Sequence, residues 1–173
     1  MQLFKKQFTV ETEAGKTTYL NILDQVKEAI SESNIQTGVL FVTTAHTTCS
    51  VFYEEFSHDF NEEGDEFLQE DLNHVLGKII PDHTDASIYK YPGEAHYQEV
   101  ESWPDVDSYL PGGDRRALWN GDGHLKATII GSSVTLDVEN HQLGVGNTGY
   151  IYFADFDTTR ERQRKFKVMI LGE

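Results

Sequence analysis

The chain has 173 residues, enough for one domain with a real core, and its 14 basic against 29 acidic residues give a formal charge of −15. So acidic a surface repels phosphate backbones and excludes a nucleic-acid partner, because that affinity rests on Lys and Arg displacing counterions. An apolar share of 38% with ten Phe and eight Tyr excludes a disordered chain, and a single cysteine, Cys49, excludes an internal disulfide and a cysteine-pair zinc site.

In chain order, residues 2–11 have the composition of a first strand. From Thr17 to Ser33, Leu20, Leu23, Val26, Ala29 and Ile30 recur at helical spacing with charged residues between them, which predicts a helix lying on a sheet. Thr37–Ala45 is an unbroken run of β-formers, and strand character resumes over Cys49–Glu54. Glu63–Ile80 returns to helical spacing, opens with acidic residues that suit a helix N-terminus, and stops at Pro81. Pro81–Gly123 holds Pro92, Pro104, Pro111, a Gly-Gly pair and both tryptophans; a loop so long and so aromatic is expected to pack over something. Ser133–Glu139 alternates as a strand, Asn140–Gln142 reads as a turn, and Leu143–Phe156 and Phe166–Leu171 complete the strands. The fold class predicted is α+β, one domain over 1–173 with mostly antiparallel sheet and two main helices packed on it. No window approaches the roughly 18 apolar residues needed to span a bilayer. The start MQLFKKQFTV lacks the apolar run of a signal peptide, so a cytoplasmic location with no membrane partner is expected.

Seven histidines are present. His58, His74, His83 and His141 sit in acidic, helical or turn contexts that suit solvated or structural roles. His46 ends an apolar strand in TTAHTTCS, among hydroxyls able to fix its tautomer. An uninterrupted strand places His46 and Glu54 on one face, a pairing suited to acid–base work or metal ligation. His124 lies in NGDGHLKATIIGSS, with Asp122 to orient it, Lys126 to add positive charge, and Ser132 and Ser133 to offer hydroxyls to an anion. Arg160, Arg162, Arg164, Lys165 and Lys167 cluster near the end of the chain and read as a solvated edge or subunit contact.

The pattern G-x-L-x-V-x-x-x-H-T-T at Gly38–Thr48, with Glu54 after it, resembles the signature of the YjbQ family, as does N-x-D-x-H-L-K-A at Asn120–Ala127 leading into I-G-S-S-V-T-L-x-V. The resemblance spans nearly the whole chain except about 91–118, which reads as an inserted loop. It implies an α+β fold assembling as a homotrimer, a histidine-rich site holding a divalent metal (zinc or magnesium) or an anion, and a weak thiamine-phosphate synthase reaction. Two departures from the family pattern stand out. Tyr91 replaces a third histidine, for which His96 or His83 is the candidate substitute, and Gly146–Gly149 lacks the family's Trp and Gln, for which Trp103 or Trp119 is the candidate replacement. Three readings follow. The first is an enzyme for a small phosphorylated or anionic substrate, with His46, Glu54 and His124 catalytic, His46, His124 and His96 as metal ligands, and Lys126, Ser132 and Ser133 on the anion. Arg115 or Arg116 would then offset the acidic surface. The second is a non-catalytic metal- or anion-binding protein, and the third a structural subunit whose histidines only bond the core.

Overall fold

The computed structural model describes residues 1–173. The β-branched and aromatic runs pair into two antiparallel sheets. In the larger sheet, β1 (Gln2–Thr12) lies beside β8 (Arg162–Gly172), then β3 (Gly38–Thr44), β5 (Ser133–Glu139) and β6 (Gln142–Leu143). The smaller sheet sets β7 (Gly149–Asp155) between β2 (Thr18–Asn21) and β4 (Cys49–Glu55). Because side chains alternate along a strand, Leu40 and Val42 of β3, Phe166, Val168 and Ile170 of β8, and Ile151 and Phe153 of β7 form one core with Val51, closed by Leu23, Val26, Ala29 and Ile30 of α1 (Leu23–Ser33). The opposite parity of β7 puts Ala154 in a second cluster with Phe156, Leu76 of α2 (Phe67–Ile79) and Ala127 of α4 (Gly121–Ile130). A third, small cluster of Val100, Leu110 and Leu118 sits in the segment between α2 and α4, around α3 (Glu94–Glu101) and three short 3-10 turns.

The α+β class and the antiparallel sheets are as expected from the sequence. Several boundaries differ, each for a local reason. The helix expected from Thr17 begins only at Leu23, because Thr18–Asn21 pairs with Asp155–Tyr152 as an edge strand. The second helix starts at Phe67, since Gly64 turns the chain at φ +88° and the Asn61 side chain accepts from the Glu63 and Asp65 amides there. The strand expected over Leu143–Phe156 is broken at Gly144–Thr148. The long segment after Pro81 is largely helical turns, and α4 was not foreseen at all: two glycines in its first turn mask a helix whose Asp122 and Lys126 bond at i,i+4.

Candidate functional site

Of the basic cluster expected at a solvated edge or subunit contact, Lys165 and Lys167 are exposed, whereas the three arginines turn inward. On β8, Phe166, Val168 and Ile170 face the core, and Arg164, Arg162 and the preceding Arg160 continue the same every-second-residue row past the core's edge. All three arginines therefore line one cleft of about 300 Å³, together with His46, His124, Asn120 and Trp103. Arg164 Nε donates to Asp155 Oδ2 at 2.6 Å, and Arg162 Nη2 lies 2.9 Å from Asp157 Oδ2; both carboxylates are buried. Arg160 has no ion-pair partner and donates through Nη1 to the Tyr109 carbonyl at 2.6 Å. Burial, followed by the neighbouring Arg162, lowers its affinity for a proton from the arginine norm. Burial alone would raise the Asp157 carboxyl, but Arg162, Thr159 and Asn120 outweigh that and hold it below the usual carboxylate range. Three guanidinium charges thus face two carboxylates, which leaves a local positive excess in a strongly acidic chain.

Two turns bring the histidines to this cleft. His46 lies in the link from β3 to β4, and its Nε2 accepts the Lys165 backbone N–H at 3.0 Å. In the neutral ring the proton therefore sits on Nδ1, the nitrogen left for a ligand. Burial, and secondarily Arg164, lowers the His46 pKa and keeps the ring neutral near pH 7. His124 stands one turn into α4; burial lowers its pKa against the opposing effect of a bond to the Thr47 backbone. Its Nε2 is 3.5 Å from the Tyr91 hydroxyl, which lies 3.2 Å from His96 Nε2. Asn120 precedes α4, is 8% exposed and donates to Asp157 at 2.8 Å, yet its buried Oδ1 has no partner. A buried, unpaired acceptor beside three arginines suits a ligand that brings a hydrogen-bond donor as well as negative charge.

The structure thus brings His46 and His124 to one cleft, keeps Ser132 near His46 and His96 across the Tyr91 hydroxyl from His124, and separates Glu54, Lys126 and Ser133 from them. Glu54 sits near the far end of β4, opposite Tyr150, because His46 belongs to a turn between two sheets rather than to the same strand face. Its carboxylate accepts from Gln69 at 3.2 Å, and burial, with Glu66 nearby, raises its pKa. Lys126 is not a free anion contact: its Nζ is held by Asp82 at 2.8 Å and Asp122 at 2.9 Å. Ser132 lines an adjoining hollow with His46, whereas Ser133 starts β5 opposite Thr43. Arg115 is taken up by Glu94 and Glu101, and Arg116 by Asp114. His83 stacks on Trp119 and accepts the Gly121 N–H at 3.2 Å, and it does not line the arginine cleft. Sequence reasoning missed Arg160, Arg162 and Arg164 as site residues, although their shared parity with Phe166, Val168 and Ile170 was the available signal.

The expected metal set of His46, His124 and His96 does not fit a divalent ion as placed. No three groups of His, Cys, Asp or Glu converge on one point. Tyr91 stands between His124 and His96, and the surrounding guanidinium groups repel a dication.

Comparison with known proteins agrees with the fold. Residues 6–173 match the family described as UPF0047 protein YjbQ-like. An Archaeoglobus fulgidus UPF0047 protein is 27% identical over 157 residues, covering 91% of this chain and 94% of the relative. One from Methanocaldococcus jannaschii is 25% identical, covering 100% and 99%. Among solved structures, an uncharacterized YjbQ/UPF0047 protein of Clostridium acetobutylicum is 26% identical with a TM-score of 0.69, covering 96% of this chain and 99% of that one. A Sulfolobus solfataricus protein of unknown function, at 21% identity and a TM-score of 0.66 over 99% of this chain and 100% of that one, shares the fold. With a match that runs almost from end to end, the chain belongs to the YjbQ-like UPF0047 family.

Proposed function

We propose that the chain is an enzyme acting on a small phosphorylated or otherwise anionic molecule held in the arginine cleft. The observation that carries this reading is the inward row Arg160, Arg162 and Arg164, with Arg160 lacking a carboxylate, in a molecule of net charge −15. The arginines would hold the phosphate oxygens, since guanidinium geometry matches that group. His46 would donate a hydrogen bond from its Nδ1–H, the proton staying on the ring, to an oxygen that gains charge as a phosphate or pyrophosphate departs, and His124 would border the reacting group. The thiamine-phosphate synthase reaction implied by resemblance, which releases pyrophosphate, is the first to assay. Exposed Val75 and Ile79 on α2, with Leu125 and Ile129 on α4, support the homotrimer that the resemblance also implies.

His46→Ala is expected to lower phosphate or pyrophosphate release by about a hundredfold, the usual scale for losing one hydrogen-bond donor to developing charge, with circular dichroism unchanged. Full turnover in both His46→Ala and His124→Ala would sink the histidine roles. A second reading, a non-catalytic anion-binding protein, draws on the ring nitrogens of His124, one bonded to the Thr47 backbone and the other beside the Tyr91 hydroxyl. It predicts saturable binding with no turnover across the same esters.

A further inference from the structure

We infer that the ligand extends past Arg160 into a second cleft and is an aromatic phosphate ester whose ring packs against Trp119. This rests on the reading of the arginine cleft as the anion site. Arg160 lines both hollows, so the two adjoin at this residue. The second is larger, about 540 Å³ against about 300 Å³, and is lined by Trp119, Pro111, Ala117, Thr84 and Thr159. The first alone is at the lower limit for a ligand pocket, whereas the two together have room for a phosphate and a ring.

The chemistry of the two hollows divides accordingly. The arginine cleft supplies the cations. The second hollow supplies an indole, a proline ring and a methyl group, with two threonine hydroxyls among them. Its charged members apart from Arg160, Asp114 and Arg116, neutralise each other at 2.7 Å. Trp119 is held before any ligand arrives: its ring stacks on His83 at 5.7 Å with planes 12° apart, and its Nε1 donates to the Tyr97 hydroxyl at 3.2 Å. A wall fixed in this way loses little freedom on binding, and an indole favours a flat, polarisable partner. Trp103, the aromatic residue of the arginine cleft, is less suited, because it makes an edge contact with Tyr109 and its Nε1 is bonded to Glu99. The Asn120 Oδ1 adds that the ligand carries a hydroxyl or amino donor near its phosphate.

Titration calorimetry with inorganic phosphate and with phenyl phosphate tests this. Phenyl phosphate is expected to bind the native protein at least tenfold more tightly than phosphate. Thr84→Phe, an exposed substitution that fills the second hollow from its rim, is expected to bring the ratio of the two dissociation constants near one, and Trp119→Ala to do the same. Equal affinities in the native protein would overturn the inference. So would an advantage that survives Thr84→Phe, which would put the ring against Trp103. If neither compound binds the native protein, the anion reading of the arginine cleft fails and the inference falls with it; because phosphate alone reports on that cleft, the two failures are distinguishable.

Discussion

Three histidines, His46, His83 and His124, have pKa values lowered chiefly by burial. Each therefore binds its proton less well folded than unfolded. Their contribution to stability is complete above the unfolded value of about 6.5 and is lost as pH falls through that value toward the folded ones. His83 sharpens the effect, since its Nε2 is buried without a partner. Glu54, raised by burial, acts in the opposite sense, but nearer the carboxylate range. Urea unfolding followed from pH 8 to pH 5 is expected to show stability declining from about pH 6.5 downward. A flat profile across that interval would contradict neutral, buried histidines. At this scale His46 and His124 were legible, because their hydroxyl- and glycine-rich neighbourhoods set them apart. Lys126 misled, since its partner Asp82 lies 44 positions away in the chain. Glu54 misled because a turn between sheets interrupts the alternation that would have joined it to His46.

Among the elements, α4 does most to build the site, delivering Asn120 and His124 to the cleft. It can do so because Gly123 lets the helix approach the end of β7: a Cβ there would stand 3.0 Å from the Phe156 carbonyl oxygen and 3.1 Å from its carbon, backbone atoms that would have to shift by a few tenths of an ångström. Alanine at an ordinary helical glycine adds about 1 kcal/mol of stability. Gly123→Ala is instead expected to cost about 1–3 kcal/mol, the range for overpacking, and to weaken anion binding as α4 shifts. Chemical denaturation measures the first effect, and a neutral or stabilising result would show that the contact is not limiting. Strands and amphipathic helices were legible wherever their period ran uninterrupted, as over Gly38–Thr44 and Leu23–Ser33. The start of α4 was not, because Gly121 and Gly123 are chosen for close approach rather than helix propensity: an added Cβ at Gly121 would lie 3.3 Å from His83 Nδ1. The apolar residues of the 91–118 segment follow no repeat, so their small cluster around Val100, Leu110 and Leu118 has no periodic signature.

For the molecule as a whole, charge is the organising fact. Acidic side chains cover the surface, as the −15 total dictates, and no helix is long and apolar enough to cross a membrane. Within that surface, β8 carries its inward row past the core and deposits three arginines where the two sheets and the 91–118 segment meet. The total charge gave no hint of this local reversal, because it arises from strand parity rather than composition. The account therefore depends most on Arg160, the cation without a carboxylate. Calorimetric titration of inorganic phosphate into the native protein and into Arg160→Gln, at one fixed ionic strength, tests it most directly. The expected result is saturable, single-site binding that weakens at least tenfold in the variant, a loss of about 1.4 kcal/mol. Absence of saturable binding in the native protein, or equal affinity in the variant, would contradict it.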